Sequence, residues 1–219
     1  MPFHMTHLHI AKNLYHILPG KISDLPRFYL GNLAPDAVHN RKNYNPDYKR
    51  MSHLCVGNEP WGMTVDNDSW TENVLEFLRS NINSGNRDFL LGYCCHVLSD
   101  IYNNLTIWMP FRFNYPEEFA KGYGGLYHAE CDKVDIELGL RKENRDDFWI
   151  FLEKAEPVDF NNLVFAEELG KHKENILYKR YVNREHPDLS SNKIITIEST
   201  MKFIEDAARF VAGKITCIV

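Results

Sequence analysis

Apolar residues recur along this chain at spacings of three and four. Leu8, Ile10, Ala11, Leu14, Ile17 and Leu18 give that period over residues 6–18, and Pro19-Gly20 ends the stretch. Leu25 to Leu33 is a shorter apolar run that stops at the turn Ala34-Pro35-Asp36. Residues 40–68 are rich in Asn, Asp, Pro and Gly and read as long connections around one short element near His53. Ser69, with Glu72 three residues on, makes a capping box and predicts a helix to Arg79. A helix apolar nearly all round follows from Asn86 to Trp108, stopped by Pro110. Pro116 opens another that reaches Arg141, with Gly122, Gly124 and Gly125 leaving room for close packing or a bend. Residues 144–155, 162–181 and 192–213 supply three more amphipathic helices. In the last, Ile194, Ile197, Met201, Ile204, Ala208 and Val211 fall on one stripe. Strand-like alternation is missing, so the pattern predicts an all-α, multi-helix bundle. No repeat or linker divides residues 1–219, which read as a single domain.

Composition narrows the class. A 44% hydrophobic chain of 219 residues can build a substantial core. A net charge of −5 leaves no electrostatic footprint for duplex nucleic acid. No run approaches the roughly 18 consecutive apolar residues of a membrane helix, so no integral membrane association is expected. The N-terminus lacks the basic region and long apolar core of a secretory signal. The five Cys, Cys94 and Cys95 adjacent among them, show neither zinc-ribbon nor disulfide-framework spacing. These features together predict reduced thiols and a cytoplasmic location; nothing in the pattern specifies an oligomeric state.

Candidate chemistry begins at His96 and Asp100, which interrupt the most apolar helix. Four residues apart, they point the same way from a helix that should be buried. A buried carboxylate needs a cation, a donor network or a proton. A neutral core pair meets that need, and so does a metal, for which His plus Asp suits a borderline ion such as zinc. Ten His occur in the chain, and four further segments hold His or Asp in apolar or aromatic surroundings. These are His7, Asp36 with His39, His53, and His128 with Asp132. A site of two or three metals assembled from several helices needs such a dispersed supply. The His-Glu-x-x-His of a single-motif metalloprotease and the adjacent His-Asp of an HD-type phosphohydrolase are both missing from the sequence. Glu130 and Asp135 read as structural or supporting groups, and His39 as a supporting or substrate-facing one. His4, His9, His16, His172 and His186 read as ordinary helix-surface residues, and Trp61, Trp70, Tyr93 and Trp108 as core or cleft wall.

The order of these motifs resembles the bacterial zinc-dependent phospholipase C family, which shares its fold with fungal-type single-strand nucleases. The resemblance rests on Thr6-His7, the Leu-Gly-x-x-Ala-Pro-Asp turn from Leu30 to Asp36, and Ser52-His53. It continues in Gly-Tyr-x-x-His-x-x-x-Asp from Gly92 to Asp100 and in His128-Ala-Glu-Cys-Asp132. It covers residues 1–140, and the last third carries no motif of the family. The resemblance implies a cluster of one to three zinc ions, two being the best supported number, and hydrolysis of a phosphodiester by a zinc-activated hydroxide. Carried over, Asp36, His53, His96 and Asp100 hold one ion. His7 joins Asp100, as a bridging carboxylate, at a second, and His128 with Asp132 holds what remains. Asp36 is also the implied catalytic base. The chain departs from the family at two places. Secreted relatives use a free N-terminal amino group as a ligand, whereas His7 here is six residues after Met1. Relatives also carry a His nine or ten residues after the position of His96, where this chain has Leu105 and Thr106. A small phosphoester and a phospholipid are both admissible substrates, and a non-catalytic helical module with an incomplete cluster is the alternative.

Overall fold

The computed structural model describes residues 3–83, 85–122 and 125–219, and the side chains of all of these but Glu143 and Asn144. Met1 and Gly124, which entered the sequence reading, lie outside the described residues. The order of elements is α1 (His4–Ile17), α2 (Leu25–Leu33), a 3-10 helix (Ala34–Asn40), α3 (Pro46–Ser52), α4 (Asn67–Asn81) and α5 (Arg87–Asn103). A π-helical turn (Asn104–Trp108) follows, then α6 (Met109–Asn114), α7 (Pro116–Ala120), α8 (Leu126–Leu140), α9 (Lys142–Lys154), α10 (Ala166–Tyr178) and α11 (Ile197–Ile215). Among the described residues there is no strand, only one isolated antiparallel bridge between Phe160 and Val164. The fold is all-α, as the periodicity implies.

Local chemistry sets most of the boundaries. Asp24, Asn45, Asp66 and Thr196 each turn a side-chain oxygen onto an otherwise unpaired amide in the first turn of α2, α3, α4 and α11. The start of α4 therefore differs from the capping box expected at Ser69. Asp66 accepts the Ser69 amide at 2.9 Å, and Ser69 lies inside the helix. A carboxylate at that position also gains from the helix dipole, which a serine does not. The single helix expected from Asn86 to Trp108 is instead α5 followed by the π turn. Pro110 then sits in the first turn of α6, where no N–H is required of it, and so does not stop the chain. The helix expected from Pro116 to Arg141 is broken between α7 and α8. In α11 the buried stripe is Phe203, Ile204, Ala207, Ala208, Val211 and Ile215, while Met201 is exposed.

α5 is the centre of the molecule. α1, α2, α4 and α11 all pack on it, which is why it is apolar on every side. Its contact with α2 is backbone to backbone. A methyl at Gly92 would lie 2.0 Å from the Phe28 carbonyl oxygen, and one at Gly31 would lie 2.1 Å from that of Phe89. Gly92→Ala is therefore expected to push α2 away from α5. Overpacking costs about 1–3 kcal/mol where side chains can yield, and here the obstacle is backbone. A thermal melt in which Gly92→Ala matches the parent would contradict this geometry.

Two buried carboxylates on α8 tie distant segments together. Asp135 accepts the Met5 amide at 2.8 Å, Arg180 at 2.7 Å and the Tyr181 hydroxyl at 2.9 Å, which fixes the first turn of α1. Glu130 accepts three consecutive amides, Lys193, Ile194 and Ile195, at 2.7–2.8 Å.

Candidate metal centre

Five of the seven expected ligands meet at the face of α5 that carries His96 and Asp100. Each imidazole is oriented by a hydrogen bond at its Nδ1. His96 Nδ1 lies 2.7 Å from the carbonyl of Asn32, which the close approach of α2 delivers. His53 closes α3, and its Nδ1 lies 2.9 Å from the Lys49 carbonyl. His7, on α1, places Nδ1 3.0 Å from the Ser99 hydroxyl, which itself donates to the His96 carbonyl at 2.7 Å. A carbonyl only accepts, and the Ser99 proton is committed. The network therefore assigns the proton of all three rings to Nδ1 and leaves each Nε2 a bare lone pair.

Those lone pairs face one another and two carboxylates. His53 Nε2 is 3.2 Å from His96 Nε2. Asp100 Oδ1 is 3.4 Å from His7 Nε2, and its Oδ2 is 3.3 Å from His53 Nε2 and 3.7 Å from His96 Nε2. Asp36 Oδ1 is 3.4 Å from His53 Nε2 and 3.8 Å from His96 Nε2. No proton lies between these atoms, and His7 Nε2 and both Asp100 oxygens have no hydrogen-bond partner. Such a set is repulsive by itself and is stabilised by a cation at its centre. Its spacing also fits one. Two ligand nitrogens bound to one tetrahedral zinc stand about 3.3 Å apart, given Zn–N bonds of about 2.0–2.1 Å. Two triads have ligand atoms close enough to share an ion, His7 with His96 and Asp100, and Asp36 with His53 and His96. Asp100 turns one oxygen to each side, as a bridging carboxylate does.

Burial keeps the His96 imidazole neutral, its pKa well below the usual range. The Asp36 carboxyl is held well below the usual carboxylate range, the burial effect being overcome first by the Lys49 ammonium.

The structure does not bring His128 and Asp132 to this cluster. Asp132 pairs with Arg180 at 2.8 Å, the same guanidinium that holds Asp135. Arg180, which follows α10, takes the carboxylate. His128 lies beside Trp108, with Nδ1 3.1 Å from the Gly122 carbonyl, on the wall of the neighbouring cavity. Leu105 and Thr106 are exposed on the π turn, and the Thr106 hydroxyl donates to the Tyr102 carbonyl at 2.8 Å. Asn103 accepts from Tyr127, and Asn104 donates to Thr64 and Asn67, so neither replaces the missing histidine.

The cavity itself holds polar residues that the sequence pattern does not mark as buried. It measures about 580 Å³ and its lining includes Asp36, Trp61, Trp108 and Phe119. Lys49, whose ammonium contacts Asp36 and stands over the Trp61 ring, is buried there. His172, expected on a helix surface, is buried on the same wall, and His9 is buried against Phe148. His16 and His186 are exposed, as expected. The signal that could have found His172 is its place on the apolar stripe Leu169-His172-Ile176 of α10.

The described residues form an all-helical protein in which buried imidazoles and carboxylates converge in groups that could hold a metal ion. A family model described as zinc dependent phospholipase C matches residues 6–102, consistent with the resemblance carried by the motifs. That stretch contains His7, Asp36, His53, His96 and Asp100, and it ends before His128 and Asp132. No curated protein and no solved structure matches the chain. No helix among the described residues is long and apolar enough to cross a membrane.

Proposed function

We propose that the protein is a zinc-dependent phosphoesterase acting on a phosphodiester. The observation that carries this reading is the set of three proton-free Nε2 atoms facing two carboxylates. Asp36, His53, His96 and Asp100 would hold one ion, and His7 with the other oxygen of Asp100 would begin the site of a second. Bound zinc supplies Lewis acidity and a water acidic enough to lose its proton near neutral pH. Asn32, Ser99 and the Lys49 carbonyl fix the ring orientations, as outer partners of metal ligands do. Asp36 is the ligand that also lines the cavity. Its Oδ1 faces the cluster and Lys49, which leaves Oδ2 as the atom to receive a proton from the attacking water. Trp61, Trp108 and Phe119 wall off bulk solvent, and the cavity suits a small phosphoester or a single lipid headgroup.

The zinc-loaded protein is expected to hydrolyse bis(p-nitrophenyl) phosphate, to lose that activity to a chelator and to regain it with zinc. Asp36→Asn is expected to lower kcat by about 100-fold or more, in the range of a lost general base, with a smaller effect on KM. The non-catalytic alternative draws on one observation. Leu105, Thr106 and the Asp132–Arg180 pair leave no histidine–carboxylate set for a third ion among the described residues. A zinc-replete protein inert to phosphodiesters, phosphomonoesters and phosphatidylcholine would establish that alternative.

A further inference from the structure

Lys49 is tied to the metal centre by both its backbone and its side chain. Its carbonyl lies 2.9 Å from His53 Nδ1. Its ammonium donates to Asp36 Oδ1 and stands 3.2 Å from His39 Nε2 and 5.0 Å from the centre of the Trp61 ring. An ammonium only donates, so His39 accepts at Nε2 and carries its own proton on Nδ1. Lysine is almost never fully buried unless paired, and Lys49 is 5% exposed. These partners account for its burial. Among the described residues lining the cavity it is the one lysine or arginine, and Asp36 is the one carboxylate.

The oxygen that Lys49 takes is the one an ion would need. Asp36 Oδ1 also lies 3.4 Å from His53 Nε2 and 3.8 Å from His96 Nε2. Asp36, His53 and His96 form one of the two triads that could hold a metal. Both Asp100 oxygens, by contrast, have no hydrogen-bond partner. Two cations drawing on one oxygen repel each other, and the repulsion grows where water is excluded. Each therefore weakens the hold of the other, by the same factor in both directions.

We propose that Lys49 is the resident counter-cation of Asp36, which stabilises the ion-free site and lowers the zinc affinity of the Asp36–His53–His96 triad. It acts through Asp36 and is a positioning residue rather than a ligand. The inference rests on the metal reading of these residues and is independent of which phosphoester is cleaved.

The test is a thermodynamic cycle on the full chain. The parent, Lys49→Met and Lys49→Arg are melted with zinc and with a chelator, and the zinc Kd of each is measured by competition with a chromophoric chelator. The carbonyl that orients His53 is backbone and survives both substitutions. Lys49→Met is expected to melt below the parent when chelated, because Asp36 is left buried without its cation. It is also expected to bind zinc about tenfold tighter. Tenfold is about 1.4 kcal/mol, so zinc should raise its Tm by roughly 3–6 °C more than it raises that of the parent. Lys49→Arg keeps the charge and should stay within about threefold of the parent in zinc Kd. If Lys49→Met does not fold without zinc, Lys49→Gln carries the test with the same expected gain in affinity, since it keeps a donor for Asp36 without the charge.

A merely structural lysine would lower the melting point equally with zinc and with chelator. That result, or a charge-free variant whose zinc Kd is equal to or weaker than that of the parent, overturns the proposal and leaves the metal centre standing. Lys49→Arg binding zinc as tightly as Lys49→Met also overturns it, because charge would then not be the cause. A parent that takes up no zinc overturns the metal reading itself, and this inference with it.

Discussion

His96→Ala is expected to lose zinc, activity and stability together. The substitution removes the one imidazole common to both ligand triads. Losing an outer partner of a metal ligand already costs about 10–100-fold in affinity, so removing the ligand itself should cost more than about 100-fold. The damage spreads because the ring is shared. The Asn32 carbonyl loses its donor, the His7 ring loses the partner stacked at 3.7 Å, and Asp100 is left buried without the ion the cluster is proposed to hold. Stranding a buried charge costs about 3–5 kcal/mol. For a protein of this size that corresponds to a Tm lowered by roughly 6–20 °C, at about 2–4 °C per kcal/mol. The measurement is elemental analysis of the folded fraction beside a thermal melt. Full metal content in His96→Ala would refute the assignment of this residue.

Zinc itself is expected to be a large stabiliser of the unaltered protein. An ion that binds only the folded state contributes about 4 kcal/mol when supplied at about a thousand times its Kd. That should separate the melting points of zinc-loaded and chelated protein by roughly 8–16 °C, at about 2–4 °C per kcal/mol. The effect should be selective. Imidazole nitrogens suit zinc and its first-row neighbours, whereas magnesium and calcium prefer all-oxygen shells. Magnesium at the same concentration should therefore leave the melt of the chelated protein unchanged. Equal melting points with zinc and with chelator would mean that the proton-free cluster is stabilised by other means.

Most residues of the candidate site are legible in the sequence alone. His96 and Asp100 stand out because polar residues four apart on an apolar helix must share a buried environment. His7, Asp36 and His53 follow from motif order. Lys49 and His172 were not legible, because a lysine in a polar stretch and a histidine in a charged helix have the same local signature as solvated residues. Their burial depends on which elements lie across from them. His128 and Asp132 show the converse. Their spacing is as good as that of His96 and Asp100, yet Arg180, 48 residues on from Asp132, captures the carboxylate.

The sequence by itself determined the helical class, the central apolar helix and the pairs His96–Asp100 and Asp36–His53 as candidates. Helical period and chain spacing are local properties, and they survive in any helical packing. The tertiary structure decided which candidates meet, where the long helices break and which polar groups are desolvated. These are matters of contact between distant segments. The glycine-mediated approach of α2 to α5 sets the Asn32 carbonyl on His96, and the α8–Arg180 pairing withholds Asp132. The folding of α10 against the cavity buries His172, which the sequence pattern places on a helix surface.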